Sequence, residues 1–344
     1  MHMYRKIETD GELLVNIMNA YGLKDKWVAV DFGLRTTIRL SLKKGARLLC
    51  GESSWQNDLM WSSTSKALFE RLSESPDARP SVTYDHRRLD NYRPNHSYLL
   101  PLELSQELLE VGLISVRSQG IDPDSLYRLF MMDFILGSAR LEGNRYSRFG
   151  AYELFTSGVQ PNTSDTRMIV NHRVAFDTLV WGDYGLELSR EAIQRIQGEH
   201  IFGLLKYDEP GTYRRQQVKI PESTYIPLSD PEQLSEIMDL VIRKAVAIEH
   251  PIEAAFFLWL HLAYLQAFER GNQRTGRTAL NIPLLRADLH PLTFVHVDTV
   301  TYAKAMLGYY EFGDISIATD LFAWAYRQSA ERYAGFNLDA IRGN

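Results

Sequence analysis

The sequence predicts a mainly α protein, and three observations carry that expectation. From about Leu102 onward, apolar residues recur at helical spacing in one segment after another. Pro, Asp, Ser and Gly punctuate these segments where helices start and stop. Strand-like alternation is confined to residues 27–42 and to a short stretch around Pro221.

Taken in order, residues 12–21 predict a short helix. "WVAVDFGLRTTIRLSL" predicts one or two strands, because β-branched residues alternate with polar ones. A helix is expected over 65–72. Residues 73–95 are rich in Pro, Asp and Arg with weak periodicity, and predict a linker packed on the surface. A small mixed α/β N-terminal domain with its linker is therefore expected over 1–100, and a helical domain over 101–344. In that second part "PLELSQELLEVGLISVRSQG" and "PDSLYRLFMMDFILGSARLEG" predict two helices, each closed by a glycine. Helices are further expected over 165–181, 189–205 and 231–248. The last has Asp230 as N-cap and Pro231 at the first helical position. "YRRQQVKIPESTYIPL" breaks the helical period. Val218, Ile220, Tyr225 and Ile226 flank Pro221 and predict a β-hairpin. Helices over 253–268, 275–285, 299–310 and 317–333 complete the chain.

Composition narrows the function classes. The 344 residues suit about two domains, and an apolar content of 45% allows a real core. A net charge of -5 gives no support for a chain that coats nucleic acid or an anionic membrane. The basic stretch "LRTTIRLSLKKGARLL" is read as a solvated face rather than as a DNA-binding element. One cysteine, Cys50, excludes a disulfide within the chain and points to a reducing, cytoplasmic setting. No apolar leader opens the sequence, and the most apolar run, 254–265, is too short to span a bilayer. No His/Cys/Asp/Glu cluster has metal-site spacing, and there is no Walker loop or dinucleotide glycine pattern. The oligomeric state, a homo-oligomer included, is left open.

One stretch does not fit a plain helical bundle. "QAFERGNQRTGR", Gln266 to Arg277, is polar and broken by glycines, yet follows a segment that is apolar on nearly every face. Gly271 and Gly276 permit backbone shapes that other residues resist. A helix beginning near Arg274 would turn its free N–H groups and positive dipole end toward the loop. Arg274 and Arg277, three apart, share a helix face and can grip phosphate oxygens bidentately. The competing reading is a surface turn with solvated arginines.

At these residues the chain resembles the Fic (filamentation induced by cAMP) domain family, whose loop reads H-P-F-x-[D/E]-G-N-G-R-x-x-R. Phe268, Gly271, Asn272, Arg274 and Arg277 match it. "GTYRRQQVKI" followed by "TYIPL" resembles the family's substrate-gripping flap. "SARLEG", Ser138 to Gly143, resembles its inhibitory motif [S/T]-x-x-x-E-[G/N]. "DNYRPNHSYLL" and the C-terminal run from "RTALNIPLL" to "AERY" resemble one bacterial branch. The resemblance covers roughly 85–344. It implies a Fic-like helical bundle with a hairpin flap, and an inhibitory helix near 123–142. It implies a nucleotidyltransferase of the AMP-transferring kind (AMPylation), with ATP as substrate or ligand. Gly271, Asn272, Arg274 and Arg277 would hold the nucleotide, and Asn272 and Arg274 would serve the chemistry with Gln266. Ser138 and Glu142 would restrain the site, Glu142 by occupying Arg277 in an autoinhibited state. A target protein would dock along the flap between Arg215 and Ile226.

The departures bear on the chemistry. Gln266 stands where the family has its general-base histidine, and a carboxamide has no useful basicity near neutral pH. Arg270 stands where the family has the carboxylate that holds Mg²⁺, which leaves the metal in question. Arg270 could itself neutralise phosphate, or could be solvated in a decayed site. Glu269 is the weaker candidate for a substitute ligand. Gln273 replaces a glycine, a mild change unless positive φ is needed there. His200 and His261 are the remaining histidines considered as a base, and each is read as structural. Arg214, just before the flap, has no assigned role. Two functions are thus expected to compete: a weakened or altered AMP-transferring enzyme, and a catalytically silent nucleotide-sensing or protein-binding module.

Overall fold

The computed structural model describes residues 61–113, 123–157, 161–181, 187–204 and 209–333. Contacts divide the chain into two units, 1–57 and 58–344. The first lies outside the described residues, and with it the expected helix over 12–21 and the strands over 27–42.

The second unit begins with helix α1 (Ser63–Arg71), whose N-cap Ser62 accepts from the Ser65 amide at 3.2 Å. After it come strand β1 (Val82–Thr83) and the single turn α2 (Arg87–Asp90). This stretch is pinned to the helices more firmly than a surface linker would be. Tyr84, Leu89 and Tyr92 are buried, and the Lys244 ammonium donates to the carbonyls of Leu89, Asp90 and Tyr92. Glu253 accepts from Tyr92 Oη at 2.9 Å and from the Leu99 and Leu100 amides at 2.7 and 3.1 Å.

The helical body follows: α3 (Leu102–Leu113), α4 (Pro123–Leu141), α5 (Arg148–Ser157), α6 (Ser164–Trp181) and α7 (Arg190–Ile201). After strand β2 (Tyr225–Ile226) come α8 (Pro231–Ala247), α9 (Pro251–Leu265), α10 (Asn272–Ala279) and α11 (Asn281–Arg286). Helix α12 (Thr299–Leu307) runs into a π-helical turn (Gly308–Phe312), and α13 (Ser316–Arg332) closes the described chain. Asp230 caps α8 through the Glu232 amide at 2.8 Å, as its place before Pro231 predicts. The helix expected over 275–285 is split at Leu280. Pro283 lies three residues on and cannot donate to the carbonyl four residues back, so the ladder breaks there.

The expected hairpin flap is not present. β2 pairs in parallel with β1, Val82 opposite Tyr225 and Thr83 opposite Ile226, and residues 218–220 form no strand. Side-chain anchoring explains the difference. Glu311, on the π-turn, accepts from Ser223 Oγ at 2.9 Å, from the Thr224 amide at 3.1 Å and from Arg79 at 2.8 Å. The Arg79–Glu311 pair is almost fully buried. These bonds fix residues 222–226 against the helical body and present them to β1 instead of to residues 218–220.

Helix α9 is the centre of the fold. Every residue from Ile252 to Leu265 is buried, and the helix touches α3, α8, α10, α11 and α12. Trp259 lies against Phe256, Phe294, Tyr302 and Phe322, with ring centroids 5.5–6.0 Å apart. Such a helix cannot shift without opening the core, so whatever leaves its C-terminus is rigidly placed. No helix among the described residues is long and apolar enough to cross a membrane.

Candidate functional site

Helix α9 ends at Gln266, which takes the left-handed conformation at φ 48°, ψ 47°. That turn swings the chain into the loop 266–271. The loop is closed from within by Asn272: its Oδ1 accepts from the Phe268 amide at 2.9 Å and its Nδ2 donates to the Phe268 carbonyl at 2.7 Å. It is also tied from outside. Gln197 of α7 donates to the Arg270 carbonyl at 2.9 Å and accepts from the Gly211 amide at 2.7 Å. Gly271 sits at φ 82°, and a Cβ there would stand 3.1 Å from Ile201 Cγ2. Only glycine combines that backbone with that closeness. Helix α10 then starts at Asn272, two residues earlier than the sequence predicts.

Arg214, unassigned from sequence, is a buried clamp. Its Nε donates to the Gln266 carbonyl at 2.6 Å, its Nη1 to Gln216 at 2.7 Å and its Nη2 to Leu228. Its own amide donates to Ala267 at 3.1 Å. One guanidinium thereby joins residues on both sides of β2 to the loop.

The arginines of α10 are both buried, Arg274 at 5% and Arg277 at 2% exposure. A buried guanidinium must be paired. Arg277 Nε donates to Ser138 Oγ at 2.9 Å, and its Nη2 to the Ser138 carbonyl at 3.2 Å and to Glu142 Oε1 at 2.7 Å. The Tyr302 ring lies 5.1 Å from its guanidinium carbon. Arg274 Nη1 donates to the His200 carbonyl at 2.8 Å, and its Nε stands 3.4 Å from Glu142 Oε2. Glu142 therefore bridges the two arginines. Burial raises its carboxyl, but Arg277 and then Arg274 pull harder and hold it below the usual carboxylate range. Ser138 and Glu142, four apart at the end of α4, meet Arg277 together.

Two histidines stand behind this cluster. His172 Nδ1 faces the Met168 carbonyl at 2.8 Å and so carries the proton. Its Nε2 then accepts from Ser138 Oγ at 3.1 Å, which leaves Ser138 oxygen to accept from Arg277. Burial pushes His172 down to about 3, with Arg274 and Arg277 adding to the shift. His200 Nε2 meets Thr278 Oγ1 at 2.8 Å, and burial keeps it well below its ordinary value. His261 is buried inside α9 and pushed down to about 3 for the same reason. Both His200 and His261 serve the core rather than the loop.

Gln266 is itself held. Its Nε2 donates to the Ala263 carbonyl at 2.7 Å and to Tyr310 Oη at 3.4 Å. Both contacts take N–H, so Oε1 is the atom left to accept from a ligand. Tyr310 lies on the π-turn and also receives Gln273 Nε2. Gln273 Oε1 accepts from Tyr302 Oη at 3.0 Å, and Tyr302 receives Trp259 Nε1 at 3.0 Å. The glutamine that replaces a glycine is thus helical and bonded, with no positive φ. Arg270 and Glu269 are exposed.

The structure brings Ser138, Glu142, Gln266, Asn272, Arg274 and Arg277 into one region, with Gly271 as its hinge and Arg270 at its rim. Sequence reasoning missed His172, Tyr302, Tyr310 and Gln197. His172 and Gln197 lie on predicted helices without motif context, and the two tyrosines lie in the C-terminal run with nothing to single them out. Among the described residues no group of three or more His, Cys, Asp or Glu could hold a metal ion.

Residues 187–284 match the Fic/DOC family. A "Protein adenylyltransferase Fic" from Nematostella vectensis is 35% identical over 111 residues, 31% of this chain and 25% of that protein. The match thus spans a quarter of the length of that relative. Among solved structures, Fic-1 (residues 134–508) from C. elegans is similar at TM-score 0.55 and 19% identity, covering 68% of this chain and 71% of that one. A Fic domain containing signaling protein from Bacteroides thetaiotaomicron gives 0.53 and 19%, covering 70% and 97%. At these identities the structures speak for the fold. The chain therefore carries a Fic/DOC family domain at residues 187–284, set in a mainly helical, Fic-like fold.

Proposed function

We propose that this chain is a Fic-domain protein of the protein adenylyltransferase type, which binds ATP or a related nucleotide at the loop 266–277. The single observation that carries the reading is the pair Arg274 and Arg277 on α10, buried beside a closed loop and answered by one carboxylate, Glu142. Two guanidinium groups share one counter-charge, so the site keeps an excess of positive charge behind a helix N-terminus. A phosphate chain would supply the missing negative charge. Glu142 and Ser138 hold Arg277 in the meantime and restrain the site.

In AMP transfer a target hydroxyl attacks the α-phosphorus, the bond to the β-phosphate breaks and pyrophosphate leaves. The hydroxyl proton must go to an acceptor. Gln266 can accept a hydrogen bond through Oε1 and orient the hydroxyl, but cannot take the proton. His172 and His200 are held below the range in which a base works at neutral pH, and both face inward. The rate would rest on positioning and electrostatics alone. This same observation favours a second reading, a nucleotide-sensing or protein-binding module that does no chemistry. A target or partner protein would dock along residues 215–226, where the exposed Ile226 ends the short parallel pairing.

Labelled ATP separates the two. Under the enzyme reading, Glu142→Gly transfers labelled AMP to itself or to a lysate protein, and Gln266→His with Arg270→Asp increases the label. If ATP raises the melting midpoint but no variant acquires label, the module reading stands.

A further inference from the structure

We infer that the loop 266–277 takes its oligophosphate ligand without a divalent cation, Arg270 supplying the positive charge that a metal would otherwise bring. The inference rests on the phosphate-binding reading and deepens it. The family resemblance implies Mg²⁺ on a carboxylate at position 270, so the residues present have to be tested against that ion.

They do not fit it. Mg²⁺ needs a near-octahedral set of oxygens, usually with one or two carboxylates. Position 270 carries an exposed guanidinium instead, in no ion pair among the described residues. Glu142 has both oxygens committed, Oε1 to Arg277 at 2.7 Å and Oε2 to Arg274 at 3.4 Å. Asn272 spends its side-chain oxygen on the Phe268 amide. Glu269 is exposed and its charge acts on Arg214, across the loop from α10. A cation placed here would face three guanidinium groups and find no uncommitted buried carboxylate.

The same facts suit an anion. The Arg270 backbone is fixed, because its carbonyl is held by Gln197 at 2.9 Å. Its side chain is therefore anchored at the root and free at the tip. Arg277 Nη1 is buried without a hydrogen-bond partner, and Arg274 Nε, equally buried, has only the loose 3.4 Å ion pair with Glu142 and no hydrogen bond. Arg270 is also near enough to Arg274 to disfavour its charge. Like charges crowd together at a cost unless an anion joins them. Arginine keeps its charge at any working pH and offers a fork that matches phosphate oxygens, which a hydrated metal does by bridging. The ligand class is a metal-free nucleoside di- or triphosphate. Chelation by Mg²⁺ removes charge from such a ligand and should weaken its hold here.

The test is calorimetric titration of ATP into the full chain, once in EDTA and once in excess Mg²⁺, for wild type, Arg270→Ala and Arg270→Asp. The expected result is binding in EDTA at least as tight as in Mg²⁺. Arg270→Ala then loses about tenfold in EDTA, one good charge-assisted contact, with an unchanged unliganded melting midpoint. Arg270→Asp loses binding in EDTA and regains it in Mg²⁺. Wild-type binding that requires Mg²⁺, or full affinity of Arg270→Ala in EDTA, overturns the inference and leaves the phosphate site standing. No binding by wild type or by Glu142→Ala under either condition overturns both.

Discussion

Helix α9 and the loop that follows it are neighbours in sequence and opposites in chemistry. Along α9 the fold is held by area: aromatic and aliphatic side chains fill the centre, and His261 is left with both ring nitrogens unpaired. Across residues 266–277 it is held by named bonds: Asn272 to Phe268, Gln197 to Arg270, Arg214 to Gln266, Glu142 to two arginines. The contrast teaches how a polar loop can be rigid. It hangs from a helix that cannot move, and most buried polar side chains in it have specific partners. The first region is held by buried apolar area and the second by specific polar bonds.

Mutations should separate the regions by size of effect. Trp259→Ala should cost about 3–5 kcal/mol in urea unfolding, the range for emptying a large aromatic site. Glu142→Ala should cost less, about 1–3 kcal/mol. It strands buried arginines, but its side chain keeps 23% exposure, between the buried and surface limits. It should also tighten nucleotide binding, which no core mutation would do. Acid should act on both regions. His172 and His261 titrate near 3 when folded but near 6.5 unfolded, so each favours the folded state fully only above about pH 6.5. As pH falls from there toward 3, each should remove about 1.4 kcal/mol per unit. Glu142 adds to the loss once pH drops below its unfolded value, since its folded value is lower still. Equal stability at pH 7.5 and 5 would contradict this burial. Smallest of all, Arg173→Ala breaks a half-exposed i,i+4 pair with Asp177 and should change stability by about 0.5 kcal/mol.

Much of this contrast was legible in the sequence. The apolar run before Gln266, interrupted only by His261, marks a central helix, and Gly271 with Arg274 and Arg277 marks the start of the next. The Ser138 and Glu142 spacing predicts a shared helix face, and although Glu142 lies one residue past α4, both reach Arg277. What failed was whatever depends on a distant partner. The alternation around Pro221 suits a hairpin locally, but Glu311 and Arg79 bind residues 222–224 and turn Tyr225 toward Val82, some 140 positions away. Residues 73–95 read as a linker because the anchors of Leu89 and Tyr92, Lys244 and Glu253, lie far along the chain. His172 and Tyr310 gave no signal, since a single polar tip on a buried ring acquires meaning only from what faces it.

The central claim is that the arginines of α10 form a phosphate site held in check by Glu142. Calorimetric titration of ATP into wild type, Glu142→Ala and Arg274→Ala tests it most directly. The account predicts measurable binding by wild type, tighter binding by Glu142→Ala and none by Arg274→Ala. Equal affinity in all three, or tighter binding by Arg274→Ala, would contradict it.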